Sequence, residues 1–79
     1  MKFIEIYEEE LKKAIVAYPD QYHYPVEEAP YVVARMSAAI ERGTFNKDGA
    51  AFKATCKRLG IKHTYQAIND FIKKQEAAS

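Results

Sequence analysis

Tryptophan is absent from this chain, and glycine and proline occur three times each. So few breakers exclude a loop-dominated or collagen-like chain and leave room for long regular elements. Cysteine occurs once, at Cys56. No intrachain disulfide can form, whereas small secreted domains commonly carry several. No apolar run approaches the roughly 18 residues that a membrane helix needs. The opening Met1-Lys2-Phe3-Ile4-Glu5-Ile6 turns acidic at once and has no signal-peptide pattern. These absences give the expectation of a cytoplasmic protein without a membrane segment.

What is present suits one globular domain spanning residues 1–79. Apolar residues make up 48% of the chain and charged residues 29%, with a net charge of only +1. Disorder would need lower hydrophobicity and a larger net charge. A chain of 79 residues buries a thin core, so each large apolar side chain carries weight.

The charge is divided unevenly. Residues 1–41 carry four basic and eight acidic side chains, a balance of −4, and residues 42–79 carry eight basic and three acidic, a balance of +5. That division suits a polyanion partner for the basic half, or a match of the two halves within one molecule or across a homodimer.

Hydrophobic spacing predicts an all-α fold, a compact bundle of about four helices. Ile4, Tyr7, Leu11, Ile15 and Tyr18 recur at intervals of three and four, giving a first helix from about Lys2 to Tyr18 that Pro19 stops. Glu8–Lys12 and Glu9–Lys13 are acid-before-base pairs four apart on its outer face. Pro19 and Pro25 bracket an aromatic loop. Val26–Ala29 suit a short turn, and Pro30 suits the first turn of a second helix. That helix has Val32, Val33, Met36 and Ile40 inside and ends at Gly43.

A polar connection from Thr44 to Asp48 follows, with Asn46 or Asp48 as the cap of a third helix. Phe52, Cys56 and Leu59 line that helix and Gly60 ends it. Thr64 caps a fourth helix whose buried stripe is Tyr65, Ile68, Phe71 and Ile72, and the tail from Gln75 is expected to fray. Nothing alternates with the two-residue period of a half-buried strand.

The stretch 52–74 reads as helix, glycine turn, helix, and it resembles the helix-turn-helix of DNA-binding proteins. Cys56 is the small residue four before the turn glycine, and Leu59 and Ile61 flank Gly60. In the tight motif the second helix buries apolar residues six and nine after the glycine. Here those positions hold Gln66 and Asn69, and Ile68 and Phe71 follow at eight and eleven, a turn about two residues longer. The resemblance implies a second helix with polar residues toward a major groove. From Gly43 to Ile72 the chain also resembles small uncharacterised proteins of phages and prophages. That likeness implies a small regulator, or a protein that binds and disables a host factor.

Lys53, Lys57, Arg58, Lys62, His63 and Lys73, with neighbouring Lys74, are the candidate phosphate contacts, and Gln66 and Asn69 the candidate base contacts. The alternative site is a host-protein surface made by Tyr18, Tyr22, His23 and Tyr24, since tyrosine suits half-wet contacts. His23, Cys56 and His63 lack metal-ligand spacing, so no metal is expected. No phosphate-cradling glycine loop and no nucleophile–base pattern occurs, so neither a cofactor nor catalysis is expected.

Overall fold

In the computed structural model the backbone is described for residues 2–78 and side chains for residues 2–75. Four α-helices are formed among the described residues: α1 (Phe3–Ala17), α2 (Ala29–Arg42), α3 (Ala50–Leu59) and α4 (Tyr65–Ala78). The turn expected before α2 is a single 3₁₀ turn, Val26–Glu28. No described residue lies in a strand, and no helix is long and apolar enough to cross a membrane. The all-α bundle predicted from hydrophobic spacing is thus the fold.

α1 is the central helix. α3 packs along it, and α2 with its preceding turn also rests on it. The buried residues of α1 are Phe3, Ile6, Tyr7, Leu11, Ala14 and Ile15. Tyr7, Leu11 and Ile15 of the expected Ile4–Tyr18 stripe are among them, and Phe3, Ile6 and Ala14 extend the buried face to one side. Ile4 is only half-buried, and Tyr18 is 48% exposed. Pro19 explains the second difference. It ends the helix at Ala17, so Tyr18 takes a non-helical conformation and leaves the inward face.

Phe52 on α3 is the meeting point of the core. Its ring lies 5.4 Å from Phe3, 5.2 Å from Tyr7 and 5.6 Å from Phe45, all measured between centroids. Phe45 is stacked on it and is 4% exposed, although it sits in the connection expected to be polar. Phe45 also meets the ring of Tyr65 edge-on at 5.1 Å, which carries the aromatic contact onward to α4. Aromatic pairs in these offset and tilted arrangements contribute about 0.5–1.5 kcal/mol each beyond their buried area. Ile68 of α4 is fully buried, while Phe71 and Ile72 are half-buried and Tyr65 is 46% exposed. The α4 stripe is therefore narrower than expected.

Two helix starts are capped from far away. Neither Lys2 nor Gly49, at the N-cap positions of α1 and α3, makes a side-chain cap. Instead Gln75 Oε1 accepts the Phe3 N–H at 2.8 Å, and the Tyr22 hydroxyl accepts the Ala51 N–H at 3.3 Å. Asn46, expected as a cap of α3, accepts the Asp48 N–H in a local turn. Gly49 (φ 155°) takes a backbone conformation that L side chains rarely adopt. Thr64 caps α4 as expected, accepting the Ala67 N–H at 3.1 Å. The tail is helical backbone to Ala78 rather than frayed from Gln75, and Ser79 lies outside the described residues.

Leu11 and Ile68 are fully buried. Leu11→Ala and Ile68→Ala should each lower stability by about 2–4 kcal/mol in urea titrations, as large-to-small core changes do. A loss below about 1 kcal/mol at both would contradict this core.

Burial raises the pKa of the Tyr7 hydroxyl well above the ordinary 10.0, with smaller contributions from Tyr22 and Tyr24. The folded state then holds the phenol neutral while the unfolded chain releases its proton near the ordinary value. This contribution is complete below about pH 10 and declines as pH rises beyond it. Tyr7→Phe should flatten the alkaline loss of stability, measured by denaturant midpoints across that range. An unchanged slope would mean that Tyr7 is not the group responsible.

Candidate nucleic-acid interface

α3 carries the candidate interface because its two faces differ. Ala51, Phe52, Thr55 and Cys56 are buried. The Thr55 hydroxyl donates to the Ala51 carbonyl at 2.7 Å, which satisfies its polar group inside the core. With that face committed, Lys53 and Lys57, four apart, stand exposed on the outside. The run from Gly49 to Asn69 contains no aspartate or glutamate, so nothing within it offsets these cations.

The turn after α3 places the next candidates. Gly60 adopts φ 70°, a left-handed position where a Cβ is unfavourable. The Ile61 N–H returns to the Cys56 carbonyl at 3.0 Å, and Ile61 packs on the core. Lys62 is exposed just beyond. His63 is half-buried, and its Nε2–H donates to the Lys47 carbonyl. A carbonyl only accepts, so this bond places the proton on Nε2. Lys47 itself lies 5.3 Å from the centroid of the Tyr65 ring and 3.3 Å from Asp48. His63 thus ties the connection before α3 to the turn after it.

Arg58 is turned the other way. Its guanidinium lies 3.3 Å from Glu9 and 3.5 Å from Glu10 on α1. Glu9 is therefore engaged by α3 rather than by Lys13, which pairs with Glu10 at 3.6 Å. On α4, Gln66, Asn69 and Lys73 follow at three and four, so they share a side. Gln66 and Lys73 are exposed, as are Lys74 and Asp70, and Asn69 is half-buried.

Among the described residues Lys53, Lys57, Lys62, Gln66 and Lys73 therefore form no ion pair, while Arg58 and His63 are occupied by internal contacts. Of the alternative surface, Tyr18 and His23 are exposed. Tyr22 and Tyr24 are half-buried and meet edge-on at 6.1 Å, with Tyr22 also capping α3. Burial raises the pKa of the Tyr24 hydroxyl, and burial also raises that of the Cys56 thiol, which is enclosed in the core. Among the described residues no three of His, Cys, Asp and Glu are grouped to hold a metal ion.

Comparison with family models, curated proteins and solved structures finds no match to this chain.

The basic surface depends on where α3 begins, and Tyr22 helps to fix that point. Tyr22→Phe keeps the ring and removes only the acceptor for the Ala51 N–H. It should cost about 0.5–1.5 kcal/mol, the usual worth of one such bond. Amide exchange should rise first at the start of α3. Uniform acceleration along the chain would contradict a local capping role.

Proposed function

We propose that this protein is a small nucleic-acid-binding regulator of phage or prophage type. Its phosphate contacts are Lys53, Lys57 and Lys62, with Lys73 on α4. The observation that carries this reading is the outward row on α3 and its turn. These cations are exposed, have no carboxylate within their own stretch, and are backed by a helix anchored on α1. A rigid support of that kind suits the holding of a phosphate backbone. Gln66, beside the turn, and the half-buried Asn69 are the residues for base edges. His63 serves by holding the turn, since its Nε2–H is already given to Lys47. Arg58 contributes only after leaving Glu9 and Glu10.

A protein-binding inhibitor or adaptor acting on a host factor is the second reading, and the exposure of Tyr18 and His23 favours it. The structural engagement of Tyr22 and Tyr24 narrows that surface. Neither reading involves catalysis. The Arg58 contacts also match part of the acidic half to the basic half within one molecule, which reduces the charge left for a homodimer of the two halves.

Duplex binding measured by fluorescence anisotropy should weaken steeply with salt, because each neutralised phosphate releases counterions. Lys53→Ala, Lys57→Ala and Lys62→Ala should each reduce the slope of log K against log salt by about 0.9. Arg58→Ala should change it less. Gln66→Ala should alter sequence preference with little effect on the slope. No binding to duplex or single-stranded DNA or RNA at tens of micromolar protein in low salt, where non-specific binders register, would sink the proposal and promote the protein-binding reading.

A further inference from the structure

α2 is the least enclosed helix for its composition. Arg35, Glu41 and Arg42 are its only charged residues, yet Ala29 alone is fully buried. Its inner residues Val32, Val33, Met36 and Ile40 stay half-buried, and Tyr31 is 69% exposed. A helix this apolar is ordinarily covered on more than one side. Here a groove of about 560 Å³ runs between α2 and the segment that follows it. Val32, Met36, Ala39 and Phe45 contribute apolar walls, and Arg35 and Arg42 border it.

Two features specify what the groove accepts. No carboxylate lines it, and neither arginine forms an ion pair among the described residues. The arginines are also seven residues apart on one helix. Two turns bring them back to nearly the same side, about 10.5 Å apart along the axis. We propose that this groove docks an acidic amphipathic helix of a partner protein. Two carboxylates seven residues apart on that helix meet Arg35 and Arg42, and the apolar side chains between them enter the groove. Guanidinium groups suit carboxylates because their paired N–H donors match two oxygens. Met36 has the flexible side chain that adapts to an incoming apolar group.

The apolar walls favour this occupant over a nucleic-acid backbone, whose phosphates gain nothing by desolvating Val32 and Met36. A second copy of the chain lacks the matching pattern. In none of its helices do two carboxylates stand seven apart; on α1, Lys12 follows Glu5 at that interval and Val16 follows Glu9. The groove residues are separate from the lysines of the nucleic-acid reading, so the two stand or fall independently.

The test uses the full chain and a fluorescein-labelled helical peptide of about four turns. The peptide carries Glu at two positions seven apart and Leu at the third and fourth positions after the first Glu. Amide resonances of Val32, Met36, Ala39 and Phe45 should shift on titration. The double variant Arg35→Glu/Arg42→Glu, in exposed positions that leave the helical circular dichroism intact, should bind at least about tenfold more weakly. A companion peptide with Lys in place of both Glu residues should bind that variant and not the original protein. The proposal is overturned if affinity ignores the charge reversal, or if groove amides do not move at millimolar peptide. It is overturned equally if those amides shift with a duplex oligonucleotide, or with protein concentration alone, in place of the peptide.

Discussion

The ring of Phe52 is the contact on which the remaining structure depends. It gathers Phe3 and Tyr7 from α1 and Phe45 from the connection before α3. Phe45 passes the packing to Tyr65, and Phe3 meets Phe71 at 6.4 Å, so α4 is reached by both ends of the cluster. A chain this short has little apolar area to distribute. Concentrating it in one aromatic group lets three separate segments share the same burial. The orientation of α3 follows directly. With Phe52 and Cys56 inward, Lys53 and Lys57 can only face out, and the cationic surface is a consequence of the core.

Long-range polar contacts complete what the core begins. α1 and α3 start without local caps, leaving donors of the first turn exposed to an energetic cost. Gln75 and Tyr22 meet one donor each from segments distant in sequence. Helix formation and tertiary packing are thereby coupled: neither cap exists until the bundle has assembled. The Arg58 contacts with Glu9 and the less exposed Glu10 add to the same α1–α3 junction, though an exposed pair such as Arg58–Glu9 contributes only about 0–1 kcal/mol. Their greater effect is on surface charge, since they withdraw one cation from the outer row.

Much of this was legible in the residues because helices are punctuated locally. Pro19, Gly43, Gly60 and Thr64 mark boundaries by backbone conformation and capping, and the structure places helix ends beside each. The inward side of α3 followed from spacing alone. Phe45 did not, because one aromatic in a polar run has no period to reveal its burial. The Tyr22 cap spans 29 positions and was invisible to any local pattern. Tyr18 fitted the α1 spacing, yet the geometry imposed by Pro19 outweighed it. The arginine pair on α2 carried a readable signal, a spacing of seven on one helix, whose meaning appears only when the neighbouring segment leaves a groove beside it.

That groove follows from the economy of the core. α1 accepts α3 along its length, and α2 gains contact with α1 and the short turn before it. Among the described residues no further element covers the other side of α2, so Val32, Met36 and Ala39 remain partly open. An open apolar strip of this kind invites non-specific association unless charge restrains it. Arg35 and Arg42 supply that restraint: they repel other cationic surfaces, including this chain's own basic half, while leaving an anionic partner a route in. The same two residues therefore account for discrimination as well as attraction, because a neutral apolar helix would find the groove without the paired charges. On this argument the incomplete burial of α2 is a functional use of a small core, in which the area withheld from folding is kept for binding.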